Sequence, residues 1–284
     1  MKQRIMTAIV GVPILLLLMY LGGAPFAFFV FVLGTVATHE LYTMAKGRHQ
    51  ILFVPVLFGV WAMFLCSWLG VSNWLTLGIL ITFCLVFGHA VFHFPEFDVV
   101  DIAVNFMALI YIGWTLSHLI LLGNMDNGRV LVFMAFLAMW ANDSGAYFIG
   151  TWFGKRRPWG AISPKKSVEG TIGGIIITCI ALFLMNLYFN LMPLAAPVFI
   201  GIAVAIIGLI GDLMESMLKR YYGVKDSGKI LPGHGGFLDR FDSVMLAAPM
   251  MYYCILMVNY VSGSLYSTTA TFFFFYFDYE IDFL

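Results

Sequence analysis

"AAPVFIGIAVAIIGLIGDLMESMLKRYYG", residues 195–223, decides how the whole chain is read. From Ala195 to Gly211 it carries no charged side chain. Lipid offers no partner to an unpaired backbone group, so such a run must be a helix. Asp212, Glu215, Ser216 and Lys219 then follow at i, i+3, i+4 and i+7, a spacing that puts all four on one helical face. A stripe that starts at membrane depth and rises into water reads as one wall of a polar cavity. The blander alternative is a solvated stripe at the membrane surface.

The rest of the chain supports the membrane reading. Of 284 residues, 62% are apolar and 11% charged, against about 25% charged in soluble domains. The fold class expected is therefore all-α: a polytopic integral membrane protein. Nine apolar runs are long enough to count as candidate spans: 5–21, 26–44, 51–69, 74–94, 103–122, 130–153, 171–192, 195–218 and 243–261. The first run follows Lys2 and Arg4 as a signal peptide would, but it is read as a retained span. One membrane domain is expected over 1–284, with N-terminal helices to 130, catalytic helices and loops over 131–263, and an aromatic tail, 264–284, at the outer interface.

Positive charge tests this topology. With the N-terminus inside, the cytoplasmic segments hold Lys2, Arg4, Lys46, Arg48, Lys155, Arg156, Arg157, Lys165, Lys166, Lys219, Arg220, Lys225, Lys229 and Arg240, and only Arg129 falls outside. Basic residues favour the cytoplasmic side, so the expected cavity faces the cytoplasm. Formal net charge is zero and selects no partner; none is expected to be a nucleic acid. Cys66, Cys84, Cys179 and Cys254 lie inside apolar runs without metal-ligand or disulfide spacing.

Ionisable groups inside spans usually mark function. Asp143, in "WANDSGAYFIG", is the clearest case. His39 and Glu40, in "THELY", read more readily as a helix-packing network, and His89, His93 and His118 as structural. After Lys219 comes "VKDSGKILPGHGGFLDRFD". Gly233, Gly235 and Gly236 around His234 suit a turn whose N–H groups cradle phosphate. Asp239 and Asp242 open the ninth span at i, i+3. With Asp212 they make an oxygen-rich set suited to Mg²⁺. Lys219, Arg220, Lys225 and Arg240 supply phosphate donors; a structural salt-bridge network is the alternative. In the other long loop, "SPKKSVEG" offers Ser163, Lys165, Lys166, Ser167 and Glu169 for a second phosphate group, or its lysines for anionic headgroups. The residues thus point to phosphoryl or nucleotidyl transfer onto a lipid.

The run Ser216 to Asp242, "SMLKRYYGVKDSGKILPGHGGFLDRFD", resembles the signature of phosphatidate cytidylyltransferases, the CDP-diacylglycerol synthases. "SPKKSVEG" is similar to that family's second motif, with Ser167 where threonine is usual. "NDSGAYFIGTWFGK" fits the same region, while residues 1–130 match only in hydropathy and in "HELY". The resemblance implies CTP and phosphatidic acid as substrates, CDP-diacylglycerol and pyrophosphate as products, Mg²⁺ as cofactor with a second cation left open, and a homodimer among membrane lipids, in a bacterial inner membrane. It implies metal at Asp212 and Asp239, with Asp242, Asp226 and Asp143 next. Lys165, Lys166, Lys219 and Arg220 would hold substrate oxygens, and His234 would position a phosphate. Ser216, Lys225, Asp226, Gly235, Gly236 and Arg240 complete the expected site. Two rivals stand beside this reading: a lipid phosphotransferase with another donor or acceptor, and a transporter with intramembrane carboxylates, although no internal repeat of the transporter kind is seen.

Overall fold

Each apolar run becomes a rod. The computed structural model describes residues 2–230 and 235–265, without the side chains of 2–6, 8, 72–75 and 262–265. The described helices are α1 (Lys2–Leu21), α2 (Gly23–Ala45), α3 (Phe53–Leu69), α4 (Ser72–Phe92), α5 (Val99–Asn124), α6 (Gly128–Phe153), α7 (Val168–Phe189), α8 (Ala196–Tyr221) and α9 (Leu238–Leu265). Within α5, residues Leu109–Trp114 form a π turn. The protein is all-helical and polytopic. Among the described residues, α2, α5, α6, α7, α8 and α9 are long and apolar enough to cross a membrane. The other three rods carry shorter apolar stretches, Ile9–Leu21, Phe53–Leu69 and Thr76–Phe92. The nine runs thus each fall on a rod, and six of those rods meet the crossing criterion among the described residues.

Several helices begin before the apolar run does, because polar residues start them. Asp98 accepts from the backbone N–H of Val100 (2.8 Å) and Asp101 (2.9 Å), and so opens α5 at Val99 rather than 103. Ser167 accepts from Gly170 N (3.1 Å) and opens α7 at Val168 rather than 171. Most consequentially, α9 opens at Leu238 rather than 243, so Asp239 and Asp242 both lie inside its first turns. Hydropathy marks where lipid can begin; a side-chain acceptor for the free N–H groups marks where a helix can.

One apolar core, from Met19 of α1 to Ile255 of α9, runs through the rods. Outward faces are also apolar: Ile176, Ile180, Leu184 and Leu187 of α7 are all exposed, as a lipid-facing surface requires. At one end the α2–α3 loop clasps the end of α8. Arg48 donates to the Tyr221 carbonyl oxygen (2.5 Å) and lies over its ring at 3.8 Å, while His49 meets the Tyr221 hydroxyl at 2.9 Å. The N-terminal rods are thereby tied to the rod that carries the polar stripe.

Candidate active site

The stripe on α8 divides. Asp212 and Ser216 turn toward the loop before α7; Glu215 and Lys219 turn toward α9. Asp212 forms an ion pair with Lys166 and accepts a long hydrogen bond from Ser216 (3.4 Å). The pair borders a cavity of about 230 Å³, whose wall also includes Asp143, Lys165, Ser167 and Ser243. Asp143, Asp212 and Asp242 come from α6, α8 and α9 and lie within electrostatic reach of one another, with Lys166 near all three and Arg240 near Asp143. Asp242 accepts from Ser243 N at 2.6 Å. Glycine makes this approach of α8 and α9 feasible: a Cβ on Gly211 would meet the Asp242 carbonyl oxygen at 2.6 Å.

The second half of the stripe is drier. Lys219 Nζ lies 2.5 Å from Asp239 Oδ1 and 2.6 Å from Glu215 Oε2. Glu215 is buried, and the Lys219 ammonium at 2.6 Å is its counter-ion. The Oδ2 atom of Asp239 accepts from Ser227 N (2.8 Å), Ser227 Oγ (2.9 Å) and Gly236 N (2.8 Å). Hydrogen-bonding the charged form in this way is how a partly buried carboxylate is kept as an anion.

Other sequence-predicted residues take definite places. Ser167 is buried as the cap of α7. Glu169 accepts from the backbone N–H of Lys155 (3.0 Å) and Arg156 (3.2 Å), tying the start of its loop to the end. Ser163 closes the turn from Trp159, donating its N–H at 2.7 Å. Arg220, Lys225, Asp226 and Arg240 are exposed. Lys225 and Asp226 border a second, open cavity of about 590 Å³ that also includes His39, Ser227 and Lys229. Gly235 has a φ of +85°, the left-handed conformation expected of the glycine turn. His234 and Gly233 lie outside the described residues, as does the tail from 266 onward.

Asp212 and Asp239 thus stand on different lysines. Among the described residues no group of three His, Cys, Asp or Glu side chains is already set for a metal. Three further residues belong to the site. Glu40, read above as helix packing, reaches the start of α9. Ser227 links Glu40 to Asp239. Tyr111, on the π turn, places a buried hydroxyl without a partner among the described residues within electrostatic reach of Asp242, Glu215 and Asp212. "HELY" was a signal for the first, and Ser227 lies inside the run Ser216 to Asp242; Tyr111 carries none in the sequence.

Carboxylates and lysines brought by several rods to one end of a helical bundle define a polytopic membrane protein built to handle phosphate esters. Residues 2–258 match the model of the cytidylyltransferase family, and the chain belongs to it. It is 37% identical over 270 residues to the phosphatidate cytidylyltransferase of Bacillus subtilis (strain 168), covering 91% of this chain and 99% of that protein. It is 34% identical to the enzymes of that name from Staphylococcus haemolyticus (88% of this chain, 97% of the relative) and Staphylococcus aureus strain COL (88% and 97%).

Proposed function

We infer that this chain is a phosphatidate cytidylyltransferase, which makes CDP-diacylglycerol and pyrophosphate from CTP and phosphatidic acid. The observation that carries the reading is the meeting of Asp143, Lys166, Asp212 and Asp242, from three rods and a loop, beside one cavity. One substrate is a membrane lipid and the other a dissolved triphosphate, and a site at the polar end of apolar rods serves both. The basic loops support a cytoplasmic side for that end, in a bacterial inner membrane. A homodimer is supported by the resemblance alone.

A phosphate oxygen of phosphatidic acid attacks the α-phosphorus of CTP. That P–O bond forms as the bond from the α-phosphorus to its bridging oxygen breaks, and pyrophosphate leaves with the electron pair. The nucleophile is already an anion, so no side chain need remove a proton. What the protein supplies is position and charge. Lys165 and Lys166 serve the cavity beside Asp212, and Lys219, with Arg220 exposed beside it in sequence, serves the side of Asp239. Both lysine sets neutralise phosphate oxygens.

Asp143, Asp212 and Asp242 lie within electrostatic reach of one another without being drawn together around an ion, and their oxygens are the hard donors a divalent cation takes. Asp143, Asp212 and Asp242 would hold Mg²⁺, with Asp239 one helical turn before Asp242 as a further donor. Bound there, Mg²⁺ would supply charge neutralisation at the phosphates. Purified protein, labelled CTP, phosphatidic acid and a Mg²⁺ titration test the reading. Pyrophosphate release that needs both substrates is expected. Release without lipid, or turnover only with a polyprenol acceptor, rejects it.

A further inference from the structure

Glu40 sits on α2, 2% exposed. A buried carboxylate is costly unless hydrogen bonds or a counter-ion replace its water. Among the described residues Glu40 forms no ion pair. It accepts instead from Phe237 N (2.9 Å, at Oε1), Leu238 N (2.9 Å, at Oε2) and Ser227 Oγ (3.1 Å, at Oε2). Phe237 and Leu238 open α9, where N–H groups lack helical partners and the helix dipole favours an anion. A residue of α2 therefore caps a helix that begins 198 positions later.

Ser227 carries the connection onward. Its hydroxyl lies between Glu40 Oε2 and Asp239 Oδ2 and gives its single proton to one of them at a time, while its N–H donates to the same Asp239 oxygen. The other Asp239 oxygen meets Lys219. The glycine-rich loop is thus held to Glu40 near both its ends, at Ser227 and at Phe237–Leu238. It also wraps closely: a Cβ on Gly236 would lie 2.5 Å from both Glu40 carboxylate oxygens.

We propose that Glu40 is a positioning residue of the transfer reaction: through Ser227 and the first N–H groups of α9 it fixes Asp239, and through Asp239 the Lys219 ammonium that receives the triphosphate of the nucleotide. It does not touch substrate. The inference rests on the cytidylyltransferase reading and assigns to it a residue outside the signature, from the N-terminal half of the chain.

Glutamine is the informative substitution. Each Glu40 oxygen accepts a backbone N–H, so the amide of Glu40→Gln must turn its NH₂ against one donor in either orientation. Wild type, Glu40→Gln, Ser227→Ala and the double variant would be purified in detergent and assayed for kcat, for KM with CTP and phosphatidic acid separately, and for thermal midpoint. Groups that orient a site's ligands commonly carry ~10–100-fold of its activity, and that loss is expected in kcat/KM for CTP with Glu40→Gln. The KM for phosphatidic acid should stay within about twofold, a change too small to report a lost contact. Ser227→Ala should shift the CTP constants in the same direction by less, and the double variant should resemble Glu40→Gln alone, because the two act in one chain. CTP constants unchanged in Glu40→Gln, equal losses for both substrates, or independent multiplying effects would each overturn the proposal. If Glu40→Gln does not fold, Ser227→Ala decides: CTP-selective loss supports the proposal and unchanged constants reject it. Failure of the wild type to turn over CTP and phosphatidic acid would sink the proposed function instead.

Discussion

Two lysine–carboxylate pairs stand about two helical turns apart on α8, and they are built differently. Lys166 and Asp212 are each about one-quarter exposed, at 23% and 27%, and Lys166 comes from a loop. Lys219 and Asp239 are 15% and 6% exposed, both lie on rods, and Asp239 accepts three further hydrogen bonds. The first pair borders a cavity and is held by little besides its own attraction, so it can open to admit a ligand. The second is fixed from Glu40 outward. On the proposed function, the first pair would yield to an incoming substrate while the second keeps its place.

The contrast can be broken in order of expected effect. Asp239→Asn removes the charge that pairs with Lys219 and turns one of the two oxygens that organise Ser227, Gly236 and Lys219 into a donor. Turnover should fall by ~10³-fold, the scale of losing a main electrostatic group of a site, in protein that remains monodisperse in detergent. Asp212→Asn should cost less, ~10²-fold, measured in the same assay; a larger loss than at Asp239 would invert the ranking. The lysines sharpen the comparison through stability. Lys219→Ala leaves Glu215 and Asp239 without their shared cation, and breaking such a buried set costs about 3–5 kcal/mol, visible as a lower thermal midpoint. Lys166→Ala should lower that midpoint less, since its pair is the more exposed of the two and solvent-screened pairs contribute about 0–1 kcal/mol, and should raise the KM of a substrate. Gly211→Ala tests the seam between the halves: its Cβ would press on the Asp242 carbonyl oxygen, and overpacking of this kind costs about 1–3 kcal/mol. Lys46→Ala, at an exposed position away from both pairs, should leave activity within about twofold, as surface changes usually do.

Much of this was legible in the sequence because helical spacing is local. Asp212 with Ser216 and Glu215 with Lys219 meet at i, i+4 as the pattern requires. The basic loops and the glycine turn at Gly235 were equally visible. What escaped reading depends on contacts across the fold. No spacing rule assigns Lys166 to Asp212 and Lys219 to Asp239, because the first pair joins a loop to a rod and the second joins two rods. Glu40 looked like an ordinary packing acid because its partners lie 187 to 198 residues away. Tyr111 is one aromatic in an apolar run until the π turn sets its direction. The start of α9 was placed late for a simpler reason: its first turns are polar, and hydropathy cannot see a helix that is not greasy.

The unequal rods have a consequence for the lipid itself. At ~1.5 Å per residue, α8 with 26 residues is about 39 Å long, while the 17-residue α3 reaches about 26 Å. A bilayer's hydrocarbon slab is about 30 Å thick. The last turns of α8, from Asp212 on, are polar and stand in water, so only residues 196–211, about 24 Å, lie in lipid, and around them and α3 the slab thins at fractions of a kcal/mol per ångström. Acyl length sets slab thickness, so the surrounding fat would bear on this protein through its girth even where no tail enters the catalytic centre.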